Sequence, residues 1–273
     1  MTQSSASGPK STLAETSDRH VLYQESVQAV DAEVDFIDET FKALRNRTPT
    51  KLREDFCGTA NSSCEWVRRR KDNTAVGVDI DPEVLAWGRE HNISALDPAQ
   101  QARLAVVEGD VLSTQGELVD VQLAMNFSYM TFKTRDTMRK YFAHAREQLV
   151  DDGLFILDSF GGYEAFQTLK ERTKQDGFTY VWHQKKYNPI TGDMLCHIHF
   201  RFPDGSRMKK AFTYHWRMWT LPELREIMIE AGFKRSIVYW EQSDEDGEGN
   251  GEFYPTEEGE PDAGWIAYLV AVK

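Results

Sequence analysis

The sequence predicts an α/β fold: a mostly parallel sheet with helices on both faces, carrying an antiparallel meander inserted after its fifth strand. Two observations predict it. Between Lys51 and Asp158 short apolar runs alternate with helical patterns, the order that builds a parallel sheet. Beyond Asp158 three strand-like runs are separated only by Asn188-Pro189-Ile190-Thr191-Gly192 and Pro203-Asp204-Gly205-Ser206, turn signals that join antiparallel neighbours. A chain of 273 residues is long enough to bury a sizeable core under such a sheet.

Each element follows from its own pattern. Residues 1–17, rich in Ser, Thr and Ala without an apolar core, read as a flexible leader and not as a secretory signal. Residues 18–50 form an N-terminal helical segment and a candidate lid. Within it Val27, Val30, Val34, Ile37, Phe41 and Leu44 repeat at helical spacing over Ser26–Leu44, with Pro49 just beyond. Strands are expected at Lys51–Phe56, Ala75–Asp79, Arg103–Val107, Val119–Met125 and Gly153–Asp158. Helices are expected at Ala60–Arg70, Pro82–His91 and Arg135–Leu149, the second opened by Asp81 and Pro82 as a capped start. The insertion spans residues 161–220: a helix near Tyr163–Thr173, then strands Phe178–Tyr187, Asp193–Phe202 and Met208–Trp219. In its middle strand Met194, Cys196, Ile198, Phe200 and Phe202 share one face and Leu195, His197, His199 and Arg201 the other. Residues 221–273 return to the first domain, begun at 51–160, with a helix at Pro222–Ala231 ended by Gly232 and strands Ser236–Trp240 and Trp265–Val272.

Composition narrows the function. The 44 acidic against 32 basic residues give a net charge of −12, but ten acids and no Lys or Arg lie between Glu241 and Asp262. The other 251 residues carry only −2, so the acidity belongs to one segment, expected to be a solvated linker. No basic footprint for a nucleic acid is present; Arg68, Arg69, Arg70 and Lys71 sit where a helix ends and suit its dipole. No apolar run is long enough to span a membrane. Three cysteines, Cys57, Cys64 and Cys196, build no disulfide framework and suit a reducing cytoplasm.

The chemistry concentrates at strand ends. Glu54-Asp55-Phe56-Cys57-Gly58-Thr59-Ala60 closes the first strand and opens a helix, where small residues and free amides let a ligand approach. About twenty residues on, an apolar strand ends at Asp79-Ile80-Asp81-Pro82, and a carboxylate there can accept from both hydroxyls of a ribose. Glu108-Gly109-Asp110-Val111 ends the third strand and Asn126-Phe127-Ser128-Tyr129 the fourth. Taken singly, Asp79 and Asp110 could simply cap turns. No Gly-x-Gly-x-x-Gly is present, which argues against a dinucleotide-dependent dehydrogenase.

In these four motifs, their order and their spacing, the chain resembles the class I S-adenosylmethionine-dependent methyltransferases. The inserted meander resembles that of their small-molecule branch, such as glycine N-methyltransferase and the aminosugar N-methyltransferases. The resemblance covers Lys51–Asp158 and Pro222–Val272 and implies a Rossmann-like, seven-stranded sheet. It implies S-adenosylmethionine as cofactor, S-adenosylhomocysteine as product, and transfer of a methyl group to an N or O nucleophile of a small molecule by in-line displacement. By position, Glu54, Phe56, Cys57, Gly58, Thr59 and Ala60 would cradle the methionine part. Asp79 would hold the ribose and Ile80 pack on adenine, with Asp110 and Val111 at the adenine edge and Asn126 and Phe127 near the methyl donor. The usual first motif has an acid and three glycines; here Phe56 and Ala60 replace two of them and only Gly58 remains. A non-catalytic regulator that binds the cofactor, and a methyltransferase acting on a protein, stay open as alternatives.

Tyr23, Tyr129, His215 and Arg217 are the candidate acceptor-pocket residues. No general base stands out, so the catalytic residue is unassigned. No membrane or nucleic-acid partner is expected, and a homodimer stays open. His197, His199 and His215 could approach one another across adjacent strands, but no carboxylate joins them and no metal is expected. The aromatic run Phe212, Tyr214, Trp216 and Trp219 reads as sheet packing in preference to a cation cage.

Overall fold

The structure is a computed structural model that describes residues 11–243 and 249–273. Its central sheet contains five parallel strands, β1 (Lys51–Asp55), β2 (Thr74–Asp79), β3 (Leu104–Glu108), β4 (Val119–Ala124) and β5 (Leu149–Gly161), arranged β3-β2-β1-β4-β5. The order reverses between β1 and β4, so the chain leaves a crevice at the carboxyl ends of these two strands, where ligands of open α/β sheets bind.

Helices cover both faces. On one side α3 (Val30–Arg45) and α4 (Asn61–Arg69) bury Val34, Ile37, Phe41 and Trp66 against Leu52, Val121 and Ile156. On the other α7 (Arg135–Glu147) and α8 (Leu221–Glu230) bury Met138, Phe142, Leu224 and Ile227 against Phe155 and Leu269. Full burial of such a side chain is worth about 1.5–3 kcal/mol, so both layers are anchored. α5 (Pro82–Gly88) follows β2 with Asp81 accepting from Glu83 N and Val84 N, the capped start that its sequence indicates.

The polar composition of β1 has a local explanation. Arg53 and Asp55 are buried and paired at 2.7 Å. Asp55 also accepts from Gln122 Nε2 at 2.6 Å and the Tyr141 hydroxyl at 3.0 Å, while Arg53 donates to Thr114 O at 2.8 Å. Buried charge is tolerated when it is paired and hydrogen-bonded in this way.

Four expectations need correction. The helix expected over Ser26–Leu44 is broken: α2 (Arg19–Val27) ends, Gln28 and Ala29 leave helical geometry, and α3 begins afresh. Tertiary bonds decide this, because Gln24 and Gln28 are drawn to Thr59 and Asn61. The helix expected near Tyr163–Thr173 is one 3₁₀ turn, Tyr163–Phe166, followed by an edge strand, β6 (Leu169–Lys174). The insertion therefore forms a four-stranded antiparallel sheet, in which β6 pairs with β7 (Thr179–Tyr187), then β8 (Asp193–Arg201), then β9 (Arg207–Arg217). Short segments of mixed polarity lack a decisive period, and cross-strand pairing wins here.

The central sheet has eight strands, not seven. β10 (Arg235–Ser243) and β12 (Trp265–Val272) extend it antiparallel beyond β5, and the acidic segment adds β11 (Gly249–Thr256) at the edge. Part of the expected linker is thus strand, held by Phe253, whose ring lies 4.5 Å from Tyr268 and 5.9 Å from Phe36. Residues 244–248 of that segment lie outside the described residues, as do residues 1–10 of the expected leader. The rest of the leader contains α1 (Leu13–Thr16), which donates from Leu13 N to Asp204 and from Ala14 N to Ser206 in the β8–β9 turn.

Candidate active site

Directly after β1 the chain makes a tight loop in which Phe56, Gly58 and Ala60 all have φ between 52° and 57°. This left-handed region strains residues with a Cβ, so packing must hold two of the three. The Phe56 ring lies 5.8 Å from both Phe132 and Tyr141 in the core. Ala60 N donates to Cys57 O at 2.8 Å. Cys57 fills the space beside β2 so closely that a Cβ on Gly77 would sit 2.7 Å from its sulfur.

Gly58 N donates to Asp79 Oδ2 at 2.8 Å, and Asp81 N donates to Oδ1 of the same carboxylate at 2.9 Å. The ends of β1 and β2 are thereby locked together around one acid. Burial, opposed by these backbone bonds, holds the Asp79 carboxyl above its ordinary value. A Cβ on Gly58 would meet only Val84, at 4.0 Å, so the loop opens onto free space. Ile80 beside it is 70% exposed. Asp110 Oδ1 accepts from Leu112 N at 2.9 Å, and Val111 is buried under the turn.

Asn126 and Phe127 end β4, both left-handed with φ 56° and 57°. Asp158, at the end of β5, accepts from Asn126 N at 2.8 Å and Phe127 N at 2.9 Å. Three buried carboxyls converge near here: burial pushes Asp158, Glu54 and Glu33 each up to about 7. Glu54 accepts from Ser63 N at 3.0 Å, and Glu33 accepts from Ser62 Oγ at 3.2 Å.

α2 bridges this edge and the inserted sheet. Asp18 accepts from Trp87 Nε1 at 2.8 Å, Gln24 donates to Thr59 Oγ1 at 2.8 Å, and Gln28 accepts from Asn61 Nδ2 at 3.1 Å. On its other side Leu22 is buried with Phe178, Ile198 and Phe200. Between the strand ends, α2 and the inner face of the insertion lies a cavity of about 790 Å³ that reaches Asn126 and Phe127. Its walls are largely aromatic: Phe127 meets Phe160 edge-on at 4.7 Å, and Tyr214 stacks on Trp216 at 4.4 Å. A wider groove of about 1580 Å³ between α8 and the β10–β11 hairpin touches none of the strand-end residues, neither Glu54 to Ala60, nor Asp79, nor Asn126 and Phe127. The smaller cavity touches Asn126 and Phe127 at the end of β4, the strand next to β1, and we take it as the acceptor side of the site.

No protein-family model and no curated protein matches the sequence. Solved structures do match in three dimensions. An S-adenosylmethionine-dependent methyltransferase from Clostridium acetobutylicum superposes with a TM-score of 0.67 at 16% identity, over 92% of this chain and 96% of its own. The amino pentose methyltransferase CalS10 from Micromonospora echinaspora gives 0.64 at 16%, over 93% and 95%. The sugar N-methyltransferase KedS8 from Streptoalloteichus gives 0.63 at 16%, over 100% and 98%. The fold is the methyltransferase fold.

Within that fold the acceptor candidates separate. Tyr23 lines the cavity, its ring 5.0 Å from Phe212. Tyr129 does not: its side chain is fully buried in the core below. The left-handed pair Asn126–Phe127 turns the chain, and the following 3₁₀ turn points Tyr129 inward. Arg217 lies with its guanidinium 3.7 Å over Trp219 and pairs with Glu223 at 3.2 Å, outside the cavity. His215 is exposed opposite Leu195. The aromatic run divides: Tyr214 and Trp216 line the cavity, whereas Trp219 is core.

The histidines that do meet are His183, His197 and His199, with ring centroids 5.5–5.9 Å apart. Lys210 N donates to His199 Nδ1 at 2.9 Å, so neutral His199 carries its proton on Nε2 and donates to His183 Nδ1 at 3.3 Å. That leaves His199 no lone pair for a metal. Asp158, Gln184, Glu164 and Glu171 were not singled out by sequence; the acid ending β5 repeats the pattern of Glu54 and Asp79 and was the readable signal among them.

Proposed function

We propose that the chain transfers a methyl group from S-adenosylmethionine to a small-molecule amine. The observation that carries this reading is the Gly58–Asp79 lock at the carboxyl edge of β1 and β2, on a sheet whose neighbouring strand β4 ends in Asn126–Phe127 at the aromatic cavity. The residues present fit the cofactor. Both Asp79 oxygens already accept one backbone bond and retain lone pairs for ribose hydroxyls. Ile80 offers an exposed apolar side chain to a purine, and Asp110 and Val111 continue that edge. Glu54, on β1 four residues before Gly58 and held by Ser63 N, would lie near the methionine portion.

Bound there, the cofactor would supply an activated methyl on a sulfonium. The protein's task is then to place a nucleophile in line, a proximity effect worth up to about 7–11 kcal/mol in favourable systems. A neutral amine needs no further activation, and aromatic faces with carboxylates nearby attract its ammonium form. Tyr23 and Phe127, lining the cavity from opposite elements, would confine the acceptor and exclude water. Three free, buried thiols support a reducing compartment such as the cytoplasm.

Calorimetric titration with S-adenosylhomocysteine tests the reading. Asp79→Ala should weaken binding by about 1–3 kcal/mol, the loss of a charged acceptor shared by two hydroxyls. Unchanged affinity in a folded variant would remove Asp79 from the site, and a wild-type protein that binds neither cofactor nor product would overturn the function.

A further inference from the structure

The far wall of the cavity is built for a positive charge. Gln184 on β7 is only 4% exposed and lines the cavity. Its Nε2 donates to Glu164 O at 3.0 Å, which fixes the amide, and its Oε1 is buried with no partner. The opposite orientation would set Oε1 against the Glu164 carbonyl, so the amide is held this way round. An unpaired buried acceptor is destabilising and calls for a donor.

The charges on the same wall agree. Glu164, in the turn after β5, and Glu171, on β6, both line the cavity, and among the described residues neither carboxylate accepts a hydrogen bond or forms an ion pair. Burial first, and then the Glu164 charge, raise the Glu171 carboxyl. Glu241 and Asp262 also line the cavity, and no Lys, Arg or His does among the described residues. A carboxylate or phosphate on the acceptor would find four carboxyl groups and, among the described residues, no cationic partner.

Resting on the methyl-transfer reading above, we propose that the acceptor is a diamine with no anionic group. One amine meets the methyl donor at the Asn126–Phe127 end, and the second, as an ammonium, is held by Gln184 Oε1, Glu164 and Glu171. Trp182, on the strand that carries Gln184, and Tyr214 give the chain between them its apolar walls.

Three probes of equal chain length isolate the distal group: putrescine, butylamine and γ-aminobutyrate. Their binding to the protein saturated with S-adenosylhomocysteine is measured by tryptophan fluorescence and calorimetry. Putrescine should bind at least about tenfold tighter than γ-aminobutyrate, with butylamine between them. Glu171→Gln should shrink that margin by about threefold or more while S-adenosylhomocysteine affinity and melting temperature stay unchanged, and Gln184→Leu should shrink it as much with S-adenosylhomocysteine affinity unchanged. Where Gln184→Leu folds poorly, the Glu171→Gln surface variant carries the test. The proposal is overturned if γ-aminobutyrate binds as tightly as putrescine, if putrescine does not bind, or if the margin survives in Glu171→Gln. Failure to bind S-adenosylhomocysteine at all would instead count against the methyl-transfer reading.

Discussion

The two walls of the site use carboxylates in opposite ways. At the edge of the central sheet each acid is tied to main chain: Asp79 to Gly58 N and Asp81 N, Asp110 to Leu112 N, Asp158 to Asn126 N and Phe127 N. These acids shape loops as well as facing a ligand. On the insertion the carboxylates of Glu164 and Glu171 accept no hydrogen bond among the described residues and stand on a turn and an edge strand. The first wall is a scaffold whose ligand groups are fixed by backbone geometry, which preorganises it. The second is a set of side chains on a regular sheet, where a substitution changes recognition without moving a loop.

The comparison breaks most visibly at Tyr129. Although it follows directly on Asn126–Phe127, it belongs to the core and not to either wall. Tyr129→Ala should lower stability by about 3–5 kcal/mol, the usual cost of truncating a buried aromatic, measured by chemical unfolding. A folded variant of near-native stability that loses methyl transfer would return Tyr129 to the acceptor wall.

Glu33 sharpens the first wall. Burial lifts its carboxyl to about 7, above the value of about 4.3 expected in the unfolded chain. Between these values the folded state binds more protons, so stability falls as pH rises through the window and the deficit is complete above about 7. Glu33→Gln should therefore stabilise the unliganded protein by about 1–3 kcal/mol at pH 8 and by little at pH 5. Thermal melts at the two pH values check this; an equal effect at both would show that Glu33 is ionised throughout.

Arg217 should matter least. It packs on Trp219 and pairs with Glu223 away from the cavity, so Arg217→Ala should cost about 0.5–1 kcal/mol of stability and change acceptor binding less than about threefold. A larger loss of acceptor affinity at unchanged stability would extend the second wall to β9.

Much of the first wall was legible because it is local. Glu54, Asp79, Asp110 and Asn126 each end an apolar run, and the alternation of strands and helices places their ends together without knowledge of distant contacts. The second wall depends on register. Glu171 faces the cavity because β6 pairs with β7, setting Glu171 opposite Trp182, and the sequence over Tyr163–Thr173 reads equally well as a helix. The break at Gln28 depends on Asn61, thirty-three positions away. The edge strand at Phe253 was masked by its acidic surroundings, although Phe253 itself has aromatic partners in Phe36 and Tyr268.

The loop after β1 separates shape from spelling. Phe56 and Ala60 hold left-handed backbone where the related motif has glycine, and the Phe56 ring is rooted beside Phe132 and Tyr141. Conformational freedom in the chain has been exchanged for leverage from the interior. A binding loop can in this way keep its outline without the glycines by which it is usually recognised, and the likeness then rests in the path of the backbone.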